Sequence, residues 1–156
     1  MWRRPANRNI STSSLSEHFN DKVEVDLLFW KRHIVLHMCD VLTRWGEAGK
    51  IESRETTCVL RGLRQHWTAR WAPPNCFISD GEGALDSHEA RVWAEKIGTQ
   101  LVIRPTGGIG AATVERHNEI LRQSLHRIEE QFTTEGIAFV PEDVIAEALM
   151  AKNCLL

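Results

Sequence analysis

The sequence has no long apolar run, no CxxC pair and no large excess of either charge. Nothing in it approaches the roughly 20 consecutive apolar residues of a membrane helix, and no short apolar core with a small-residue cleavage site opens it. The chain therefore reads as soluble and intracellular, not secreted, with no membrane partner. Its four cysteines, Cys39, Cys58, Cys76 and Cys154, are scattered, which argues against a disulfide framework or a zinc ribbon and leaves them as reduced core or surface thiols. A formal net charge of −2 and a pI near 6.4 exclude binding to nucleic acid by bulk positive charge, so any DNA contact must be local. No internal repeat is visible.

What is present is 156 residues, 42% hydrophobic and 26% charged, enough for one domain with a sizeable core. Residues 1–18 carry Arg3, Arg4 and Arg8 among Ser and Thr with little to bury, and read as a flexible lead-in. From Val23 the β-branched alternation predicts a strand; Ile34 to Cys39 predicts a second, and Thr43 to about Ile51, with Gly46 and Gly49 inside, a weaker third. Short connections make these antiparallel. Ser53 is the expected cap of a helix with apolar Val59, Leu60, Leu63 and Trp67, ended by Pro73 and Pro74. Cys76 to Ile78 reads as a strand buried on both faces, stopping at Ser79, Asp80, Gly81. Asp86 and Glu89 resemble a capping box for a helix through Ala90, Trp93, Ala94 and Ile97, closed by Gly98. Leu101 to Ile103 is the fifth strand, and Thr106 to Gly110 a mobile glycine loop. A long helix with the stripe Val114, Leu121, Leu125, Ile128, Phe132 follows, and Pro141 opens a last one through Val144, Ile145, Ala148 and Leu149. The class is α/β, a mixed sheet with helices packed on it.

Three acidic residues stand out. Asp26 interrupts an apolar strand, where an Asp either needs a cation or, with Glu24 beside it, faces water from an edge. Asp80 ends a buried strand, the place where open α/β sheets present ligand-binding groups, although Asp-Gly is also a common turn. Glu115 lies in the first turn of the long helix, at the border of its buried face; a helix-start carboxylate favoured by the macrodipole is the plainer account. Together they are more informative, because the three converge if the first and fourth strands are neighbours. Three carboxylates at one place repel unless hard divalent cations neutralise them. His33 and His37 have a ligand-like gap but no CxxC follows, so strand packing is expected. Core packing is likewise the default for Trp30, Trp45, Trp67, Trp71 and Trp93.

The segments VEVDLLFW (23–30), HMCDVLTRW (37–45), NCFISDGEG (75–83) and ATVERHNEIL (112–121) resemble the catalytic core of retroviral and retrotransposon integrases, the ribonuclease-H-like DDE enzymes. Asp80 and Glu115 are 35 positions apart, leaving 34 residues between them where the family is written with roughly thirty-five. The resemblance runs over about residues 19–132. It implies a ribonuclease-H-like mixed five-stranded sheet flanked by helices, with a flexible 1–18, a catalytic core over 19–135 and a truncated helical segment over 136–156. It implies that Asp26, Asp80 and Glu115 are the catalytic residues and the ligands of two Mg²⁺ or Mn²⁺ ions. By the same resemblance Asn118, Arg122, His117, Gly108 and Gly110 face DNA, and Asp40 is structural.

The implied activity is that of a polynucleotidyl transferase and endonuclease, processing DNA 3′ ends and joining them to target DNA. A decayed or domesticated binding module and a ribonuclease-H-type nuclease share the same features. The implied partners are element ends, target DNA and further copies of the chain, pairing through the stripe of the 53–70 helix with Trp67. The implied location is the nucleus, or the cytoplasm and a virus-like particle. The family's flanking zinc domain and basic domain have no counterpart in these residues, which suits a fragment of a larger polyprotein. Gly81, Glu82, Gly83 replace the family's usual Asn and Gly after the second aspartate, and the loop before Glu115 lacks the usual Gln or Ser. These departures bear on substrate handling more than on metal binding.

Overall fold

A strand whose alternate residues differ in polarity presents two different faces, and the first strand does so over its whole length. β1 (Lys22–Trp30) turns Val23 and Val25 to one side of the sheet and Glu24, Asp26, Leu28 and Trp30 to the other. The computed structural model describes residues 15–80, 83–105 and 112–154, excluding the side chains of 112–114. β2 (His33–Asp40) and β3 (Gly46–Ile51) follow as antiparallel neighbours, and β4 (Cys76–Asp80) and β5 (Gln100–Arg104) run parallel to β1. The order β3-β2-β1-β4-β5 puts β1 at the centre, with β4 beside it. The expected five-stranded mixed sheet is present, and β1 and β4 are neighbours, the condition set for Asp26 and Asp80 to meet.

The sheet's two faces carry separate cores. On one, Val23, Val25, Leu36, Met38 and Phe77 pack against α1 (Thr56–Leu63), the π-helical turn Arg64–Thr68 that extends it, and α3 (His88–Ile97). α2 (Ala69–Trp71) is a last short turn before Pro73. On the other face Leu28, Trp30, Val35 and Ala48 pack against Leu121 and Leu125 of α4 (Ala112–Glu135) and Val144, Ile145 and Ala148 of α5 (Pro141–Cys154). The second face is apolar only toward the end of β1; its first half carries the acidic residues.

Several local expectations differ. β3 begins at Gly46, not Thr43, because the Asp40 carboxylate accepts from the backbone N–H and the hydroxyl of Thr43, both at 2.8 Å, and Arg44 takes a left-handed φ of 66°. This is the structural role expected of Asp40. Ser53 does not cap α1; Glu55 holds the N-cap position without a side-chain bond, and the Ser53 hydroxyl turns to Cys58. The cap of α3 is Ser87, accepting from the Ala90 N–H at 3.2 Å, while Asp86 pairs with Arg91. Gly98 ends α3 at φ 75°, as the sequence indicated. Val59, Leu60, Leu63 and Trp67 are buried against the sheet, and the Trp67 indole donates to Asn20 Oδ1 at 2.8 Å. They therefore cannot form the expected pairing surface, because an apolar stripe that covers a core is not available to a second chain. Trp30 and Trp93 are buried as expected, whereas Trp45 and Trp71 are each more than one-third exposed. The cysteines are free, with Cys39 and Cys76 in the interior.

Candidate active site

Register places the acidic residues. β1 and β4 pair in parallel through Lys22–Cys76, Val23–Phe77 and Glu24–Ile78, and carrying that phase forward sets Asp26 beside Asp80 on the same sheet face. Asp26 is therefore in a central strand, not at a water-facing edge. Glu115 is exposed in the first turn of α4, the helix that lies over this face. Asp26 has its pKa raised, first by burial and then by the negative charges of Asp80 and Glu115. Among the described residues no three His, Cys, Asp or Glu side chains stand close enough to form a ready-made metal site. The donor set nevertheless suits hard divalent cations, being all carboxylate, with one member half-buried and destabilised by its neighbours' charge. A cation would relieve that penalty.

The α4 residues expected to face DNA fall into two groups. Asn118 and His117 are buried, each 6% exposed, and Asn118 turns inward: its amide nitrogen donates to Asp26 Oδ2 and its Oδ1 accepts from His37 Nδ1 at 2.6 Å. They stand one turn before Leu121 and lie on the same packed side of the helix, so the sheet, and not the solvent, claims them. Arg122 is partly exposed and paired with Glu119 at 2.9 Å. Gly108, Gly110 and the rest of the 106–110 loop lie outside the described residues, as do the Val114 side chain and Gly81–Glu82.

Three groups in the site carry no role in the sequence reading. Glu24, two residues before Asp26 on the same face, is buried and paired across β4 with Arg104 at 3.1 Å. Burial raises its pKa more than Arg104 lowers it. His37 lies opposite Asp26 in the β1–β2 register and is wholly buried; His33, at the other end of β2, packs against the Trp30 ring. The signal for Glu24 was the period of two that it shares with Asp26. His37 needed the β1–β2 register, which no local pattern states.

No protein-family model matches the chain, and no curated protein matches it in sequence. Solved structures do. The catalytic core domain of BIV integrase superposes with a TM-score of 0.70 at 16% identity, over 85% of this chain and 82% of that one. The HTLV-2 integrase catalytic core domain, in complex with magnesium, gives 0.68 at 13% identity, over 83% and 82%. A chain of the simian T-cell lymphotropic virus intasome, in complex with PP2A regulatory subunit B56 gamma, gives 0.72 at 17% identity, over 83% of this chain and 47% of that one. The chain has the fold of a retroviral integrase catalytic core.

Proposed function

We propose, from an integrase-core fold with Asp26 on its central strand, Asp80 at the end of β4 and Glu115 in the first turn of α4, that this protein is a divalent-metal-dependent polynucleotidyl transferase acting on DNA ends. The single observation that carries the reading is the parallel β1–β4 register, whose offset of 54 positions carries from Asp26 on the central strand to Asp80 at the end of β4, in a fold shared with retroviral integrase cores. Asp26 and Asp80 would hold the cations from the sheet, and Glu115 from the helix above. Bound Mg²⁺ or Mn²⁺ would supply the positive charge that an in-line phosphoryl displacement needs at its attacking and leaving oxygens. The chain's own contribution is orientation. The Leu27 N–H, at 2.8 Å, and the Asn118 amide fix both oxygens of Asp26, while the Glu24–Arg104 pair lies next to it in the sheet.

The reaction proposed is 3′-end processing of element DNA followed by strand transfer into target DNA, by a multimer. Arg122 and the 106–110 loop would meet the DNA, while His117 and Asn118 would support the site from beneath. The multimeric neighbours support pairing of this chain as well: one HTLV-2 integrase core is described as dimeric and another as trimeric. The test mixes labelled duplex ends with purified protein and Mg²⁺ or Mn²⁺, with sedimentation run alongside. Trimmed and joined products are expected, lost to background in Asp26→Asn, Asp80→Asn and Glu115→Gln. Undiminished activity in Glu115→Gln would remove that residue from the site. Mn²⁺ binding without products would identify a decayed core, and cleavage confined to RNA:DNA hybrids a ribonuclease-H-type nuclease.

A further inference from the structure

Beside Asp26 a buried side chain outside the carboxylate set holds one of its carboxylate oxygens. The Asn118 amide lies between two groups, with its nitrogen donating to Asp26 Oδ2 and its oxygen 2.6 Å from His37 Nδ1. An amide can be rotated by half a turn at little cost unless its neighbours tell oxygen from nitrogen. Rotated here, its oxygen would face the Asp26 carboxylate, acceptor against acceptor. The observed orientation requires a proton on His37 Nδ1, so the chain of donors runs from His37 Nδ1–H to Asn118 Oδ1 and from Asn118 Nδ2–H to Asp26 Oδ2.

His37 is built to play that part. It is wholly buried, and its Nε2 has no hydrogen-bond partner among the described residues. Complete burial disfavours the charged imidazolium, so the ring is neutral and carries one proton. The Lys152 ammonium is itself held by the Arg44 carbonyl at 3.2 Å. A Cβ at Gly46 would stand 2.7 Å from Lys152 Nζ and 3.2 Å from His37 Nε2, so the glycine leaves room for both. With no acceptor for Nε2 among the described residues and Asn118 Oδ1 at 2.6 Å from Nδ1, the single proton belongs on Nδ1, toward Asn118.

We infer that His37 is a positioning residue that locks the Asn118 amide and, through it, presents Asp26 to the metal in one orientation. The inference rests on the proposed reading of Asp26 as a ligand, and it adds a residue to that reading from the strand opposite. Outer partners that orient a ligand are worth roughly tenfold to a hundredfold in metal affinity.

The experiment follows two readouts in the full chain: Mn²⁺ affinity by calorimetry, and the NMR signals of the Asn118 side-chain amide. His37→Leu, close in volume but without a donor, is expected to shift the amide signals to those of a free amide and weaken Mn²⁺ by roughly tenfold or more. His37→Asn, whose amide nitrogen takes the place of Nδ1, is expected to recover most of both. In His37→Leu combined with Asn118→Ala, the loss is expected to be no greater than in Asn118→Ala alone, since the two act in series. Unchanged signals and affinity in folded His37→Leu, or additive losses in the double variant, would overturn the inference. Should His37→Leu not fold, His37→Gln, whose donor reaches toward the Nε2 position, replaces it, and Mn²⁺ affinity equal to that of His37→Asn would overturn the inference. Should the unaltered protein bind no Mn²⁺, the metal reading falls. The amide signals still decide the role of His37: loss in His37→Leu with return in His37→Asn supports it, and indifference sinks it.

Discussion

At Asp26 two demands oppose each other. The folded protein raises its pKa above the ordinary 3.8, so in the metal-free chain its contribution to stability is fully present below about pH 3.8 and is lost as pH rises through the folded value. A cation reverses that trend, because it binds the ionised form and competes with the proton. We therefore expect Mn²⁺ at about a hundred times its dissociation constant to stabilise the protein at pH 7 by about 2.7 kcal/mol. That is roughly 5–10 °C in melting temperature for a chain of this size. The gain should shrink as pH falls through the raised Asp26 pKa and be absent in Asp26→Asn, both readable by thermal melts with and without metal. Glu24 presents the same physics without a cation. Its partner Arg104 keeps about 15% of its side chain exposed and Glu24 about 5%, so removing the guanidinium strands an acid in the interior. Arg104→Ala should lose about 3 kcal/mol at pH 7. Glu24 already has a raised pKa, and losing Arg104 raises it further, so the loss should be small near pH 4, where the acid is protonated, and grow as pH rises. Urea unfolding at the two pH values checks this.

Between elements, the distance of closest approach is set by residues with no side chain. Gly62 of α1 faces the sheet where a Cβ would come within 2.6 Å of Leu36 Cδ2 and 3.0 Å of Ile51 Cγ2, both in the packed core. Alanine is the better helix former by about 1 kcal/mol, but overpacking a well-filled core costs about 1–3 kcal/mol. Gly62→Ala should therefore destabilise by about 1 kcal/mol, measured by denaturant midpoint with unchanged slope. The same contrast explains what could be read from the sequence. Period two in Val23–Leu28 and period 3.6 in Val59–Trp67 are local, so strands and helices were legible, whereas the adjacency of the first and fourth strands entered only as a condition for Asp26 and Asp80 to meet. Element ends were not, because Asp40 gripping Thr43 and Ser87 rather than Asp86 capping α3 depend on which hydroxyl or carboxylate reaches which N–H. Neither could the sequence tell that the α1 stripe faces this chain's own sheet, since an apolar face reads the same whether it covers a core or a partner. His37 came into view only with the β1–β2 register and its contact to Asn118, 81 positions away, and the Glu24–Arg104 pair only with a contact between strands 80 positions apart in sequence.

Over the whole molecule, charge decides how DNA can be held. Nineteen basic residues against twenty-one acidic ones leave no general attraction for a polyanion. Around the site several of the cations are already engaged: Arg104 by Glu24, Arg122 by Glu119, and Lys152 buried against the Arg44 carbonyl. An exposed ion pair such as Arg122–Glu119 is worth little and can be exchanged for phosphate, whereas the half-buried Arg104 cannot leave without stranding the buried Glu24. Few phosphates are then neutralised per protein bound. Since each contributes about −0.9 to the slope of log K against log salt on duplex DNA, two or three contacts predict a slope of about −2 to −3. Arg3, Arg4 and Arg8 lie outside the described residues, and each phosphate they meet steepens that slope. Fluorescence anisotropy across a salt series should give this shallow slope for the unaltered chain, one unit shallower in Arg122→Gln, with any further reduction in the triple Arg3→Gln, Arg4→Gln, Arg8→Gln variant counting the contacts made by the leading segment. A slope of −6 or steeper that Arg122→Gln leaves unmoved would mean the polyanion is held on another face, and that Asp26, Asp80 and Glu115 do not lie where DNA binds.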